Sequence, residues 1–469
     1  MTFGNAVRGM QMLLPATSEV NDKDSFEWLK IESLADAEGY ECVGWHSTQD
    51  CTPDGVRTPK RDRLCNAPVE RNSAGYCVVR HNTTGELRRV FPLHCKSLRS
   101  DVKLYCRDFA SMLEVQVKAA NHTPVVPLVF EQCQRQLLTE NNLDAATTAI
   151  DFSRGVIYSI HPGVCTASTH PFAGFATSGA LVNLPGVYLR EVKDTRATDY
   201  NTKLYATFYT AFDNVLLLDA DNFAVQDPTY LFSTPQFNST GAMFWPDFWR
   251  PNRTNMDMTN VSLVWDLLGI PFVDMFEQES GQVLINRRAH TRALNTLLYY
   301  GLVEPRWPQK LRAVFGDKDL FRFAWMKTNS SFHFIERPAG SAGMMAKSSS
   351  TQTQPDRFCG QTMVQHDPKG EIVFLHRNAY KMTSKKRKRI WMYVQQYKRD
   401  QPPGLYDVWG VVDKDRFPTA NKCWTKYANF THRYAVTPVA SLPFRTMEER
   451  LFEYVNEAED IVASAVRSA

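Results

Sequence analysis

Apolar and polar positions along the chain mark out short buried strands that end in polar residues. Val215–Leu218 is an uninterrupted apolar run with a β-branched start, the pattern of a strand buried on both faces of a parallel sheet. It stops at Asp219-Ala220-Asp221. Gly155–His161 predicts the first core strand, Val187–Val192 the next, and Lys203–Ala211 an apolar-faced helix leading into the strand at 215. Tyr230–Phe232 begins a short helix after the Asp227-Pro228 turn. Glu279–Gln282 sets a polar tetrad directly before an apolar strand ending at Asn286. Gly316-Asp317-Lys318-Asp319 opens a helix, and Phe358–Gln365 and Ile372–His376 predict the closing strands of the sheet. The tail carries an amphipathic helix with Met447, Leu451, Tyr454, Val455, Ala458 and Ile461 on its packing face. This succession is that of an α/β fold.

The segment before the first core strand follows a different pattern. Six of the ten cysteines (Cys42, Cys51, Cys65, Cys77, Cys95 and Cys106) crowd together among turn signals, with strand-like pieces such as Tyr76–Arg80 and a helix from Lys103 to about Ala119. With no Cys-x-x-Cys pair among them, they read as disulfides rather than a zinc module, and so as an oxidising compartment. Spacing leaves their pairing open. Sequons at Asn82, Asn121, Asn238, Asn252, Asn260, Asn329 and Asn429 point to the same lumen. The apolar patch Met10–Pro15 is too short for a signal core, and no window reaches the length of a membrane span. We divide the chain into a cysteine-rich N-terminal module (1–115), a catalytic domain (116–400) and a C-terminal extension (401–469).

Length and composition allow two or three ordinary globular domains: 469 residues, 43% hydrophobic and 22% charged. A net charge of +4 is too small to argue for nucleic acid. The lone basic run Lys385–Arg389 lacks interleaved aromatics and reads as a solvated face or a lure for an anionic diphosphate.

Candidate chemistry gathers at strand ends. Side chains alternate along an extended chain, so Asp219 and Asp221 point the same way from the end of a buried strand, where open α/β sheets bind ligands. Their repulsion calls for a cation, and hard oxygen ligands suit Mn²⁺ or Mg²⁺ holding a diphosphate. Asp-x-Asp also occurs at Asp22/Asp24, Asp317/Asp319 and Asp413/Asp415, but only the pair at 219 follows a buried strand. His376 ends an apolar run in the same way and is a further candidate ligand. The end of the first core strand, at Ser159, suits a nucleotide. Lys203 either reaches a phosphate or sits on the surface. Trp245, Asp247 and Trp249 combine flat apolar faces with a carboxylate and suit a hexose, with core packing the alternative for the aromatics. Ser280-Gly281 would let a substrate approach the backbone closely.

Five blocks in order resemble the fungal-type α-mannosyltransferases: Val215–Asn222, Gly241–Asp247, Glu279–Gln282, Gly316–Asp319 and Phe374–Asn378. The resemblance spans roughly 154–382. It implies a glycosyltransferase-A type α/β domain in the Golgi lumen, GDP-mannose as donor, a glycan or glycoprotein acceptor, Mn²⁺ (or Mg²⁺) at the diphosphate, retention of anomeric configuration, and a membrane anchor that this sequence does not display. By position it places Asp219 on the nucleotide side and at the metal, Asp221 and His376 on the metal, and Lys381 on a phosphate. Retention needs a group beneath the sugar or a guided same-face attack, for which Glu279, Gln282, Asp317 and Asp319 are the candidates. Family members usually carry more chain between the first strand and the lysine-bearing helix, so base and ribose contacts are not carried over. A glycosyltransferase-like binding protein and a transferase for another nucleotide sugar are the alternative readings.

Overall fold

The computed structural model describes residues 26–36, 38–124, 126–144, 150–159, 188, 192, 194–346, 357–382, 388–425 and 430–468. The strand expected over Val187–Val192, the Asp22/Asp24 pair, most of the basic run and Asn429 fall outside them.

The cysteine segment folds around an antiparallel sheet of β1 (Tyr40–Ser47), β2 (Gly75–His81) and β3 (Leu87–Leu93). The expected disulfides are present as Cys42–Cys65, Cys51–Cys95 and Cys77–Cys106. Helix α1 (Phe109–Lys118) follows and buries Phe109, Met112, Leu113 and Val115. These join one continuous apolar core that runs on through Leu263, Leu267, Phe321 and Trp325.

The central sheet has five strands: β4 (Arg154–Ser159), β5 (Asn214–Asp219), β7 (Ala242–Pro246), β8 (Gln278–Asn286) and β9 (His333–Phe334), ordered β4-β5-β8-β7-β9. Strand β5 is buried on both faces as expected. Val215 and Leu217 join the large core, while Leu216 and Leu218 join a separate cluster with Met243, Trp245 and Phe374. The sheet is mixed rather than parallel, because β5 runs parallel to β4 but antiparallel to β8. The tetrad Glu279–Gln282 lies inside β8 rather than before it. Pairing of Gln282 with Leu218 and of Glu279 with Trp245 gives its backbone partners on both sides. Helix α2 (Asn201–Tyr209) precedes β5, and helix α4 (Thr291–Leu302) follows β8.

The strands expected to close that sheet belong to a second one. It contains β6 (Asn222–Ala224), β10 (Gly340–Ala346), β11 (Arg357–His366), β12 (Ile372–His376), β13 (Tyr393–Tyr397), β14 (Trp409–Val411), β15 (Cys423–Thr425) and β16 (Tyr434–Pro438). Strand β12 pairs with β11 on one side and β6 on the other. The two sheets are therefore spliced immediately after Asp221, where the chain leaves β5 and enters β6. A fourth disulfide, Cys359–Cys423, ties β11 to β15. No helix among the described residues is long and apolar enough to cross a membrane.

Two measurements test this architecture. Removing the Cys359–Cys423 bridge by a double alanine substitution should cost about 2–4 kcal/mol in denaturant unfolding; an unchanged midpoint would contradict its structural role. The second concerns helix α3 (Leu263–Leu268), which docks on α1 with Gln116 Nε2 donating to the Asp266 carbonyl at 2.6 Å. Burial pushes the Asp266 carboxyl up to about 6. A folded pKa above the unfolded value stabilises at low pH, and that contribution is lost as pH rises from about 4 to about 6. Asp266→Asn should thus unfold later than wild type at pH 7.5, by about 1–3 kcal/mol, and show no such gain at pH 4.

Candidate functional site

Asp219 is the last residue of β5, Asp221 lies one turn residue before β6, and His376 is the last residue of β12. Register places His376 opposite Asn222, so the β6–β12 pairing carries the imidazole to the diacid. His376 Nε2 lies 3.1 Å from Asp221 Oδ1 and 3.8 Å from Asp219 Oδ2. One ligand atom from each of the three lies within 4.8 Å of the others. The ring is seated by Gly281, where a Cβ would fall 2.5 Å from His376 Nδ1. That close approach explains the glycine in the tetrad, and its partner is the imidazole.

Lysines surround these acids. Lys203 Nζ lies 2.8 Å from Asp219 and 3.2 Å from Asp317, a buried ion pair rather than a surface lysine. Lys318, which the sequence reading passed over, reaches Asp247 at 2.6 Å and Glu279 at 2.8 Å. Lys381 lies 2.8 Å from Asp221. Burial opposes charge on Lys203, but Asp317 and Asp219 outweigh it and raise its pKa. Burial likewise opposes ionisation of Asp221, yet His376 and Lys381 hold it well below the usual carboxylate range. Against its own burial, Glu279 is drawn down to about 2 by Lys318 and His376. Asp317 is pushed up to about 6, chiefly by burial with Asp219 adding to it. For His376, burial disfavours the charged ring, and Asp221, Glu279 and Asp219 reverse that.

The donor set fits a hard divalent cation. Five carboxylates (Asp219, Asp221, Asp247, Glu279 and Asp317) face three ammonium groups, a deficit of two charges when His376 is neutral. Asp219 Oδ1 and Asp221 Oδ2 are each met at 2.8 Å by a lysine ammonium, Lys203 and Lys381 respectively, which a cation could displace. Gln282 stands beside the cluster. Its Oε1 accepts from Asn222 Nδ2 at 2.7 Å, while its buried Nε2 makes no hydrogen bond.

Not every expected residue joins this group. Trp245 is core rather than a sugar platform: it is fully buried, packs edge-on against Phe374 of the second sheet, and its indole donates to the His366 carbonyl at 2.8 Å. Asp319 opens α5 (Leu320–Lys327), where it accepts from the Gln278 N–H at 2.8 Å and pairs with Arg322. That is a structural position. Trp249 packs edge-on against Trp424 at 5.6 Å. Ser159 pairs in register with Asp219 through the β4–β5 ladder.

Residues 176–265 and 270–367 match the mannosyltransferase family Mannosyl_trans3. The chain is similar to the α-1,2-mannosyltransferase MNN5 of Saccharomyces cerevisiae, 24% identical over 265 residues covering 46% of this chain and 43% of that protein. It is 29% identical over 202 residues to the α-1,2-mannosyltransferase MNN2 of the same yeast, covering 36% and 32%. With the α-1,2-mannosyltransferase MNN23 of Candida albicans it shares 26% over 228 residues, covering 40% and 36%. The chain thus spans less than half the length of these relatives. The resemblance to fungal-type α-mannosyltransferases is borne out, the match taking in the first four of the five blocks and ending before Phe374–Asn378.

The seat of His376 is testable without any ligand. Gly281→Ala must displace the ring or the strand, and should lower stability by about 1–3 kcal/mol in thermal or denaturant unfolding. An alanine variant as stable as wild type would show that the imidazole does not rest on this glycine.

Proposed function

The chain is a relative of the fungal-type α-mannosyltransferases, and from that premise we propose that it is a metal-dependent, retaining α-mannosyltransferase that moves mannose from GDP-mannose to a glycan acceptor. The observation that carries this reading is the meeting of Asp219, Asp221 and His376, brought from two sheets to within 4.8 Å. In this reading the strand-end position of the diacid, the mixed α/β sheet and the family match favour a glycosyltransferase-A type domain. The four disulfides favour an oxidising lumen, which for this family is the Golgi.

Asp219, Asp221 and His376 would hold Mn²⁺ or Mg²⁺. That ion supplies Lewis-acid neutralisation of the departing diphosphate. Lys381, exposed at the mouth, is placed to bind a phosphate oxygen in exchange for Asp221. Lys203 holds Asp219 and Asp317 in fixed positions. Lys318 keeps Glu279 ionised and oriented, and Gly281 N–H donates to the same carboxylate at 2.9 Å. An ionised, buried and immobilised carboxylate can stabilise positive charge developing at an anomeric carbon. Of the four candidates for that role, Glu279 suits it best. Burial and Asp219 push Asp317 up to about 6, and burial likewise raises Asp319, which is tied to the Gln278 N–H and to Arg322. Gln282 is uncharged, and its free amide N–H suits a sugar hydroxyl.

GDP with Mn²⁺ at a hundred-fold excess over its dissociation constant should stabilise the protein by roughly 2.7 kcal/mol, read as a rise in melting temperature. Asp221→Ala should abolish that rise and lower transfer from GDP-mannose by at least about 100-fold. Normal turnover in this variant, or a wild type indifferent to GDP and Mn²⁺, would overturn the assignment.

A further inference from the structure

The residue after His376 is a charged side chain with no exposed surface. Arg377 is 0% exposed and pairs with Glu448, 2% exposed, in the first turn of the C-terminal helix α6 (Met447–Ser468). A buried ion pair is costly unless further hydrogen bonds satisfy both groups, and here they do. Arg377 donates through Nε to the Tyr380 carbonyl at 2.6 Å and through Nη2 to the Lys388 carbonyl at 3.2 Å. Glu448 accepts from the backbone N–H of Ile390 at 2.9 Å and of Trp391 at 3.0 Å. The Arg377 backbone N–H meanwhile donates to the Asp221 carbonyl at 2.8 Å.

One pair therefore gathers two segments, 377–382 and 388–391, the first of which is bonded to the diacid turn through the Arg377 N–H. Lys381, whose ammonium reaches Asp221, sits on the first segment. Arg377 and Glu448 both lie beyond the region matched by the family. Resting on the proposed function for the role of Lys381, we infer that Glu448 is a positioning residue: from the C-terminal helix it fixes the segment 377–382 that carries Lys381 beside Asp221, and so sets affinity for the nucleotide diphosphate. Glu448 touches neither substrate nor cation.

The test compares Glu448→Gln with Glu449→Gln, which removes the neighbouring exposed pair to Arg389 and leaves the buried one intact. Reductive methylation read by peptide mass spectrometry reports Lys381 itself. The Glu448→Gln variant should raise Lys381 labelling several-fold, leave Lys203 labelling unchanged, and weaken GDP binding in the presence of Mn²⁺ about ten-fold; Glu449→Gln should do none of these. Unchanged Lys381 labelling in Glu448→Gln would overturn the inference. A wild type that fails to bind GDP with Mn²⁺ overturns the proposed function instead, while the labelling still decides the positioning. If the glutamine variant does not fold, Glu448→Asp carries the same comparison, since the shorter side chain keeps the charge but withdraws it from both segments.

Discussion

Five carboxylates crowd into a space where burial alone would make most of them take up protons. What opposes that is the set of basic groups brought from elsewhere in the chain: Lys203 from the helix before β5, Lys318 from the turn before α5, His376 from the second sheet and Lys381 from the segment that follows it. No single segment could satisfy this requirement. The packing of the elements around the end of β5 is thus as much an electrostatic arrangement as an apolar one.

The splice between the sheets is the mechanical counterpart. Asp219 ends a strand of the five-stranded sheet, and three residues later Asn222 begins a strand of the other. The diacid occupies the crossing itself, so its two carboxylates are fixed from both sides: β4 and β8 grip β5, and β12 grips β6. Supports on each side hold the two carboxylates in place with little freedom to reorganise.

Much of this was legible in the sequence, for identifiable reasons. The apolar run at Val215–Leu218 and the abrupt Asp-Ala-Asp behind it state both a buried strand and a charged end, and Ile372–His376 repeats the pattern. Other features were hidden. Lys318 lies between two acids that face different ways, Asp317 toward Lys203 and Asp319 toward Arg322, and local sequence does not say which acids a lysine between them will meet. Trp245 has the surroundings of a sugar platform, and only the packing of the second sheet's Phe374 against it assigns it to the core. Strand pairing was misjudged because an apolar run shows that a strand is buried but not which neighbour it has, so β11 and β12 were assigned to the wrong sheet. Glu448 reads as one more charge on the wet face of an amphipathic helix. Its partner lies 71 residues away.

His376 follows Asp221 by 155 residues. During synthesis the twin acids emerge long before their imidazole, and the ring reaches them only once β12 has paired with β6. The cluster therefore cannot be complete before residue 376 has been made, and a chain arrested anywhere short of that pairing holds its acids without their third member. Completion of the Asp219–Asp221–His376 cluster is consequently an internal mark that the two sheets have been joined.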